Sequence, residues 1–145
     1  MSVEVEVVRG ATDEVVEAVS RLLPQLSGTA GAPDRESVAE LLRSDANTLL
    51  VARVEGRAVG MLTLIMFPLP SGVRGRIEDV VVDEAARGHG VGAALTEEAL
   101  RLAEAAGVRT VDLTSRPSRQ AANRLYERLG FKARDSKVYR FVVQP

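Results

Sequence analysis

At 145 residues, 46% hydrophobic and 27% charged, the chain is long enough for a real core and ordinary for a globular protein, so one domain spanning 1–145 is expected. A formal net charge of −1 gives no electrostatic reason to expect nucleic acid or a bilayer as a partner. The lack of cysteine excludes disulfides, thiolate metal sites and cysteine nucleophiles, and a single histidine excludes a histidine-rich site, so no metal is expected. No apolar run is long enough to span a bilayer. The opening MSVEVEVVRG alternates charge with valine and lacks the form of a signal peptide, so a cytoplasmic protein is expected. Lys132 and Lys137 are the only lysines against many arginines, a bias that suggests a GC-rich bacterial genome.

Val3, Val5 and Val7 alternate with Glu4 and Glu6, which predicts a half-buried strand over 3–8. Thr12 or Asp13 can cap a helix running to about Leu23. The segment 27–33 is a loop by composition, and Asp34 caps a second helix through Arg43. This loop is a candidate substrate wall or a plain connector. Strands follow over 48–54 and 58–67, joined by a tight turn at Glu55-Gly56-Arg57. The second is nearly continuous in apolar character, as for a central strand buried on both faces. The prolines and glycines of 68–75 predict an irregular connection at the mouth of a site. Arg74 or Arg76 there could attract an acidic substrate group, although an exposed arginine is more often simply solvated.

Residues 76–106 organise the rest. Ile77 to Val82 is a short β-branched strand, Arg87-Gly88-His89-Gly90-Val91-Gly92 is a glycine-rich turn, and Val91, Leu95, Leu102 and Ala106 recur at helical spacing. A helix start leaves backbone N–H groups unpaired and carries partial positive charge. Gly88, Gly90 and Gly92 let a bulky anion approach the main chain, and Arg87 adds a fixed cation. Such a turn suits a pyrophosphate. Two patterns fit it. Gly88, Gly90 and Ala93 satisfy the dinucleotide fingerprint G-x-G-x-x-G/A, but five residues separate them from the strand and the chain lacks room for two mononucleotide halves. Arg87, Gly90 and Gly92 satisfy R/Q-x-x-G-x-G/A without a gap. Beyond the turn, 108–114 is a strand that a right-handed crossover makes parallel to 77–82. Arg119 to Leu129 is a last helix ended by Gly130, and 131–133 with 138–143 are expected to close the sheet.

The second of those patterns is the acyl-CoA signature of the GCN5-related N-acetyltransferases (GNAT), and VVVDEAARGHGVGAAL resembles that family throughout. ANRLYERLGF resembles its other recurrent segment, A-x-x-L-Y-x-x-x-G-F, through Ala122, Leu125, Tyr126, Gly130 and Phe131. The resemblance covers most of the chain; the first ~45 residues are only compatible in pattern. It implies an α/β fold with a mixed central sheet of about seven strands and helices on both faces. The implied order is strand, two helices, three strands, helix, strand, helix and two closing strands.

The resemblance also implies acetyl transfer from acetyl-CoA to an amine, which needs a neutral amine, a stabilised oxyanion and a proton for the departing thiolate. The carrier's pyrophosphate would rest on Arg87, Gly88, His89, Gly90, Val91, Gly92 and Ala93. The pantetheine arm would lie beside Val80, Val81 and Val82, whose backbone N–H groups can polarise the thioester carbonyl. Tyr126 stands where family members often place a tyrosine acid, and a phenol pKa near ~10 keeps its proton at neutral pH. The plainer reading is a buried tyrosine held by one hydrogen bond.

Glu78 is the candidate base, expected on one strand face with Val80 and Val82 by the period of two. Ile77-Glu78-Asp79 also resembles the amino-sugar acetyltransferases of this superfamily, where a glutamate stands at the matching place. A structural carboxylate is the alternative for Glu78, and Asp79 is expected to point away. His89 occupies an x position and is expected to face solvent. Arg119, Asn123 and Tyr126 share one side of the last helix, and the first two are candidate cofactor contacts. The family more often has asparagine where this chain has Arg119. An acyl-CoA sensing module and a nucleotide-binding oxidoreductase half-domain are the competing functions. The acceptor is open, since superfamily members use protein N-termini, lysines, polyamines, aminoglycosides and amino sugars. The final strand could offer a homodimer edge.

Overall fold

The computed structural model describes residues 2–28 and 31–144. Thr29 and Ala30, at the centre of the loop expected to wall a substrate site, lie outside the described residues. The chain forms two compact units, Met1–Thr114 and Ser115–Pro145.

The first unit holds a five-stranded sheet in chain order: β1 (Val3–Val7), β2 (Asn47–Val54), β3 (Arg57–Leu69), β4 (Gly72–Val82) and β5 (Thr110–Asp112). The first four strands pair antiparallel, and β5 lies parallel to β4 as the crossover rule requires. Its helices are α1 (Asp13–Leu26), α2 (Arg35–Arg43) and α3 (Val91–Ala105). Thr12 caps α1, its hydroxyl accepting from the Val15 N–H at 3.2 Å. Asp34 caps α2, accepting from the Ser37 N–H at 2.8 Å. That bond, foremost, holds the Asp34 carboxyl below its ordinary range. Between β2 and β3 both turn residues have positive φ, Glu55 at 52° and Gly56 at 79°, as a two-residue hairpin with right-handed twist requires.

The irregular connection expected over 68–75 is instead strand. Phe67 pairs with Arg74, Pro68 with Val73 and Leu69 with Gly72, which leaves only Pro70-Ser71 as the turn. Pro68 is tolerated because of its place on the strand. The Met66 N–H bonds Ala46 O at 2.8 Å on the β2 side. Two residues on, the proline nitrogen faces the same side, and β2 has already ended at Asn47 opposite Ile65.

The sheet is covered on both faces. Leu49, Val51, Met61 and Val81 form one core with Val15, Ala18, Val19 and Leu22 of α1 and Val38 of α2. Leu50, Leu62 and Leu64, fully buried, belong to the alternate positions, on the side of α3. The helix comes closest at Gly60. A Cβ there would stand 2.8 Å from Val91 Cγ1 and 3.1 Å from Leu95 Cδ1. Glycine at this point therefore sets how near the first turns of α3 lie to the sheet.

In the second unit, α4 (Gln120–Arg128) ends in a two-bond cap: the Phe131 N–H reaches Tyr126 O at 3.0 Å and the Gly130 N–H reaches Glu127 O at 3.1 Å. Gly130 supplies the required positive φ, 104°. The strands expected over 131–133 and 138–143 are not formed, so the sheet has five strands rather than about seven. Side-chain composition made those segments read as strand, but a strand exists only by pairing, and among the described residues this tail joins no ladder. Tyr139 and Phe141 are 87% and 88% exposed. The edge that a closing strand would offer a second copy is thus not formed either. Among the described residues, no helix is long and apolar enough to cross a membrane.

Replacing Gly60 with valine should lower the urea midpoint of unfolding by an amount worth about 1–3 kcal/mol, at unchanged slope. An unchanged midpoint would show that α3 can retreat from β3 without cost.

Candidate active site

β4 is regular only in part. Thr63 of β3 pairs with Glu78 and Met61 with Val81, so Asp79 and Val80 together oppose one residue of β3. This is a β-bulge, and within it Asp79 takes a positive φ of 50°, which aspartate tolerates better than most residues. The extra residue corrects the expectation that Glu78 shares a face with Val80 and Val82. Glu78 shares its face with Val81 and with Arg76 and Arg74 below it, on the side of α1 and α2, whereas Val82 and Ile77 lie on the side of α3. Glu78 is half-buried, and its Oε2 accepts from Arg76 Nε at 2.5 Å. Arg76 Nη2 also donates to Thr114 Oγ1 at 2.8 Å. Partial burial, and secondarily the charge of Glu78, raises the Asp79 carboxyl above the ordinary range.

A second irregularity lies alongside. β5 pairs only with Arg74, Gly75 and Arg76. Among the described residues, β4 from Ile77 onward has β3 on one side and no strand partner on the β5 side, so the main chain of Val80, Val81 and Val82 borders a gap in the sheet.

That bare edge leads into the glycine turn. Asp83 caps a single 3-10 turn, Glu84–Ala86, by accepting from the Ala85 N–H at 3.1 Å. Gly88 and Gly90 follow with φ of 86° and 78°, and a Cβ on either would meet nothing within 4 Å. Glycine is needed here for backbone conformation, and the space beside it stays open. The first bond of α3 runs from the Ala94 N–H to Gly90 O at 3.0 Å, so Val91, Gly92 and Ala93 present the unpaired amides of a helix start. Arg87 and His89 are exposed, and Val91 is buried.

Two residues of α1 brace this loop. Arg21 Nη1 donates to Asp83 Oδ2 at 2.9 Å and Nη2 to Ala58 O at 2.8 Å. One turn on, Gln25 Oε1 accepts from the Glu84 N–H at 2.9 Å. Neither residue was among the expected site residues. Their i, i+4 spacing puts them on one face of α1, but nothing in the sequence pairs that face with 83–84.

In the second unit, Tyr126 is buried, with its ring edge-on to Phe131 at a centroid distance of 5.7 Å. Burial raises its hydroxyl pKa above the ordinary value, partly opposed by the charge of Arg119. Asn123 is committed locally: its Nδ2 donates to Arg116 O at 3.0 Å and its Oδ1 accepts from Ser115 Oγ at 2.5 Å. Arg119 sits at the head of α4 and makes no side-chain cap.

A family model described as the acetyltransferase (GNAT) family matches residues 15–131. The chain belongs to that family. The acetyltransferase is similar over most of its length to several solved structures. One is an acetyltransferase from Trypanosoma brucei, 28% identical, covering 97% of this chain and 100% of that one with a TM-score of 0.78. Another is a ribosomal-protein-alanine N-acetyltransferase from Brucella melitensis biovar Abortus 2308, 26% identical, covering 97% and 100% with a TM-score of 0.76. A third, an aminoglycoside acetyltransferase from an uncultured soil metagenomic sample, shares the fold at 20% identity, covering 99% and 97% with a TM-score of 0.84. No curated protein sequence matches it. Proteins of this family normally use acetyl-CoA. The open glycines and unpaired amides of the acetyltransferase fit a diphosphate. Among its described residues no group of His, Cys, Asp and Glu could hold a metal ion.

The raised carboxyl of Asp79 gives a stability prediction with a definite sign. The folded state holds this proton more tightly than the unfolded chain, so stability from Asp79 is full below its ordinary pKa of about 3.9 and is lost as pH rises through the folded value. Asparagine also accepts positive φ. Asp79→Asn should therefore melt higher than the wild type at pH 7, with the gap closing below about pH 4. A gap that persists at pH 3 would show that the charge is not its cause.

Proposed function

We propose that the chain acts as one domain over 1–145 and moves the acetyl group of acetyl-CoA to a primary amine by direct attack in a ternary complex. The observation that carries this is the continuity of two unpaired backbone rows, the bare edge of β4 and the amide-rich start of α3. The first suits an extended arm laid beside a strand, and the second suits a diphosphate. When bound, acetyl-CoA supplies an acyl group already activated as a thioester.

The chain's own groups would then divide the work. Arg87, Gly88, His89, Gly90, Val91, Gly92 and Ala93 would hold the diphosphate, His89 through its backbone N–H. Amides of Val80, Val81 and Val82 would polarise the acyl carbonyl in a gap with little water. Tyr126, whose pKa is raised by burial, keeps its proton at neutral pH and would give it to the departing sulfur. Glu78 would take the proton of the attacking amine, directly or through water, with Arg76 fixing its carboxylate. Arg119 would reach the carrier. Asn123 would act from behind, by holding 115–116 in place.

Calorimetric titration with acetyl-CoA, CoA and NAD tests the binding half, with the first two expected to bind and NAD not. A free-thiol assay across a panel of amines tests turnover and separates an enzyme from an acyl-CoA sensor. Tyr126→Phe should cut kcat by about 100-fold or more with little change in acetyl-CoA affinity. Gly90→Val, which forces a β-branched residue to a φ of 78°, should abolish binding. Full turnover in the tyrosine variant would remove the acid role.

A further inference from the structure

Next to Glu78, on the same face of the sheet, lies a cleft of about 260 Å³ lined by Phe67, Leu69, Ser71, Arg74, Gly75, Arg76, Thr110 and Asp112. The strand register explains its make-up. Phe67 opposes Arg74 across β3 and β4, and Thr110 and Asp112 oppose Arg74 and Arg76 across β4 and β5. One wall is apolar, Phe67 and Leu69. The floor and far wall are polar.

The charges in this cleft are not all neutralised. Arg76 is balanced by Glu78. Arg74 has only hydroxyl partners, donating from Nη1 to Thr110 Oγ1 at 3.1 Å and from Nη2 to Ser71 Oγ at 2.9 Å. Its Nε is buried and, among the described residues, has no hydrogen-bond partner. Arg109 meets the same residue, donating from Nη1 to Ser71 O at 2.6 Å. Two guanidinium groups thus converge on Ser71, and among the described residues neither forms an ion pair with a carboxylate. At the other end Asp112 is exposed and likewise forms none. Two residues along a strand separate the levels of Arg74 and Asp112, about 7 Å. The cleft therefore offers a free positive end, flanked by the apolar wall of Phe67 and Leu69, and a free negative end at Asp112. A buried guanidinium N–H without an acceptor, as at Arg74 Nε, is costly, and a bound anion relieves that cost.

We propose that this cleft receives the acceptor, and that the acceptor is a short amine also bearing an anionic group. This rests on the reading of the chain as an acetyltransferase and adds the substrate class. The anion sits at Arg74 and Arg109. The amine end lies toward Asp112 and Glu78, as an ammonium on arrival and as a free amine after Glu78 takes one proton. In the transfer the nitrogen–carbon bond to the acetyl group forms, the carbon–sulfur bond breaks, and, in net terms, the leaving thiolate takes up the proton that Glu78 removed. The remaining amine proton passes to solvent. A polyamine, positive at both ends, is disfavoured by the same two guanidinium groups.

Matched acceptors test this: 5-aminopentanoate against pentylamine, glycylglycine against its amide, and 2-aminoethyl phosphate against ethanolamine, followed by thiol release with saturating acetyl-CoA. The acid-bearing member of at least one pair should have the higher kcat/KM by about ten- to a hundredfold, the range that charge-assisted hydrogen bonds give. Which pair discriminates reports whether the anion is a carboxylate or a phosphate. In Arg74→Gln the preference should collapse through KM, while acetyl-CoA affinity by calorimetry stays at the wild-type value; Arg109→Gln gives a second, independent reading. Equal rates within every pair, or an undiminished preference in both variants, would overturn the proposal. Failure of wild-type protein to bind acetyl-CoA would instead sink the acetyltransfer reading beneath it, so the two failures are told apart.

Discussion

Among the described residues, β4 has a strand neighbour on each side from Arg74 to Arg76 and on one side only from Ile77 to Val82. Everything distinctive about the first unit follows from that change. A central strand of a sheet normally spends its amides on both neighbours, and unpaired ones in a protein interior are costly. Here the row of main-chain groups is left bare over the half of the strand that runs into the glycine turn. The bulge at Asp79 and Val80 falls just where the second neighbour is lost, adding twist where the strand leaves the flat part of the sheet.

The mouth of α3 is fixed from two directions. From beneath, Gly60 lets Val91 and Leu95 approach the sheet more closely than any side chain would permit. From the flank, Arg21 and Gln25 of α1 tie down Asp83 and Glu84, and Arg21 ties the same point to the backbone of β3 at Ala58. The glycine turn needs such bracing. It is made of exposed residues with glycines at its corners, and glycine contributes conformational freedom rather than stiffness. Rigid neighbours supply what the turn itself lacks and hold its amides in place.

Much of this was legible in the residues. Valine–glutamate alternation marked β1, Thr12 and Asp34 marked the helix starts, and the glycines at 88 and 90 marked a backbone that turns through positive φ. These signals are local, and each is carried by side chains that report their own backbone. What could not be read depends on distant pairing. The bulge is invisible in Glu78-Asp79-Val80, because it is defined by the strand opposite. It reversed the face assigned to Glu78 relative to Val80 and Val82. Prolines at 68 and 70 suggested a loop, although Pro68 stands where its missing N–H breaks no ladder. The tail misled in the opposite sense: Val138 to Val143 has the composition of a strand, yet among the described residues it joins no ladder. For the candidate site, motif singled out the glycine turn and Tyr126. Arg21, Gln25 and Gly60 carry no motif, and their roles arise only from contacts across the fold.

The extra residue in β4 also bears on how this chain can change over time. A single deletion at 79 or 80 would let β3 and β4 zip flat along their whole length. The sheet would survive, since backbone pairing does not depend on side-chain identity. Each half of β4 would also keep its face, since Glu78 stays opposite Thr63 and Val81 opposite Met61. What would go is the kink and added twist just where the strand loses its second neighbour. Loss of one residue here would thus leave a folded, flatter sheet whose bare edge runs toward the glycine turn along a different line.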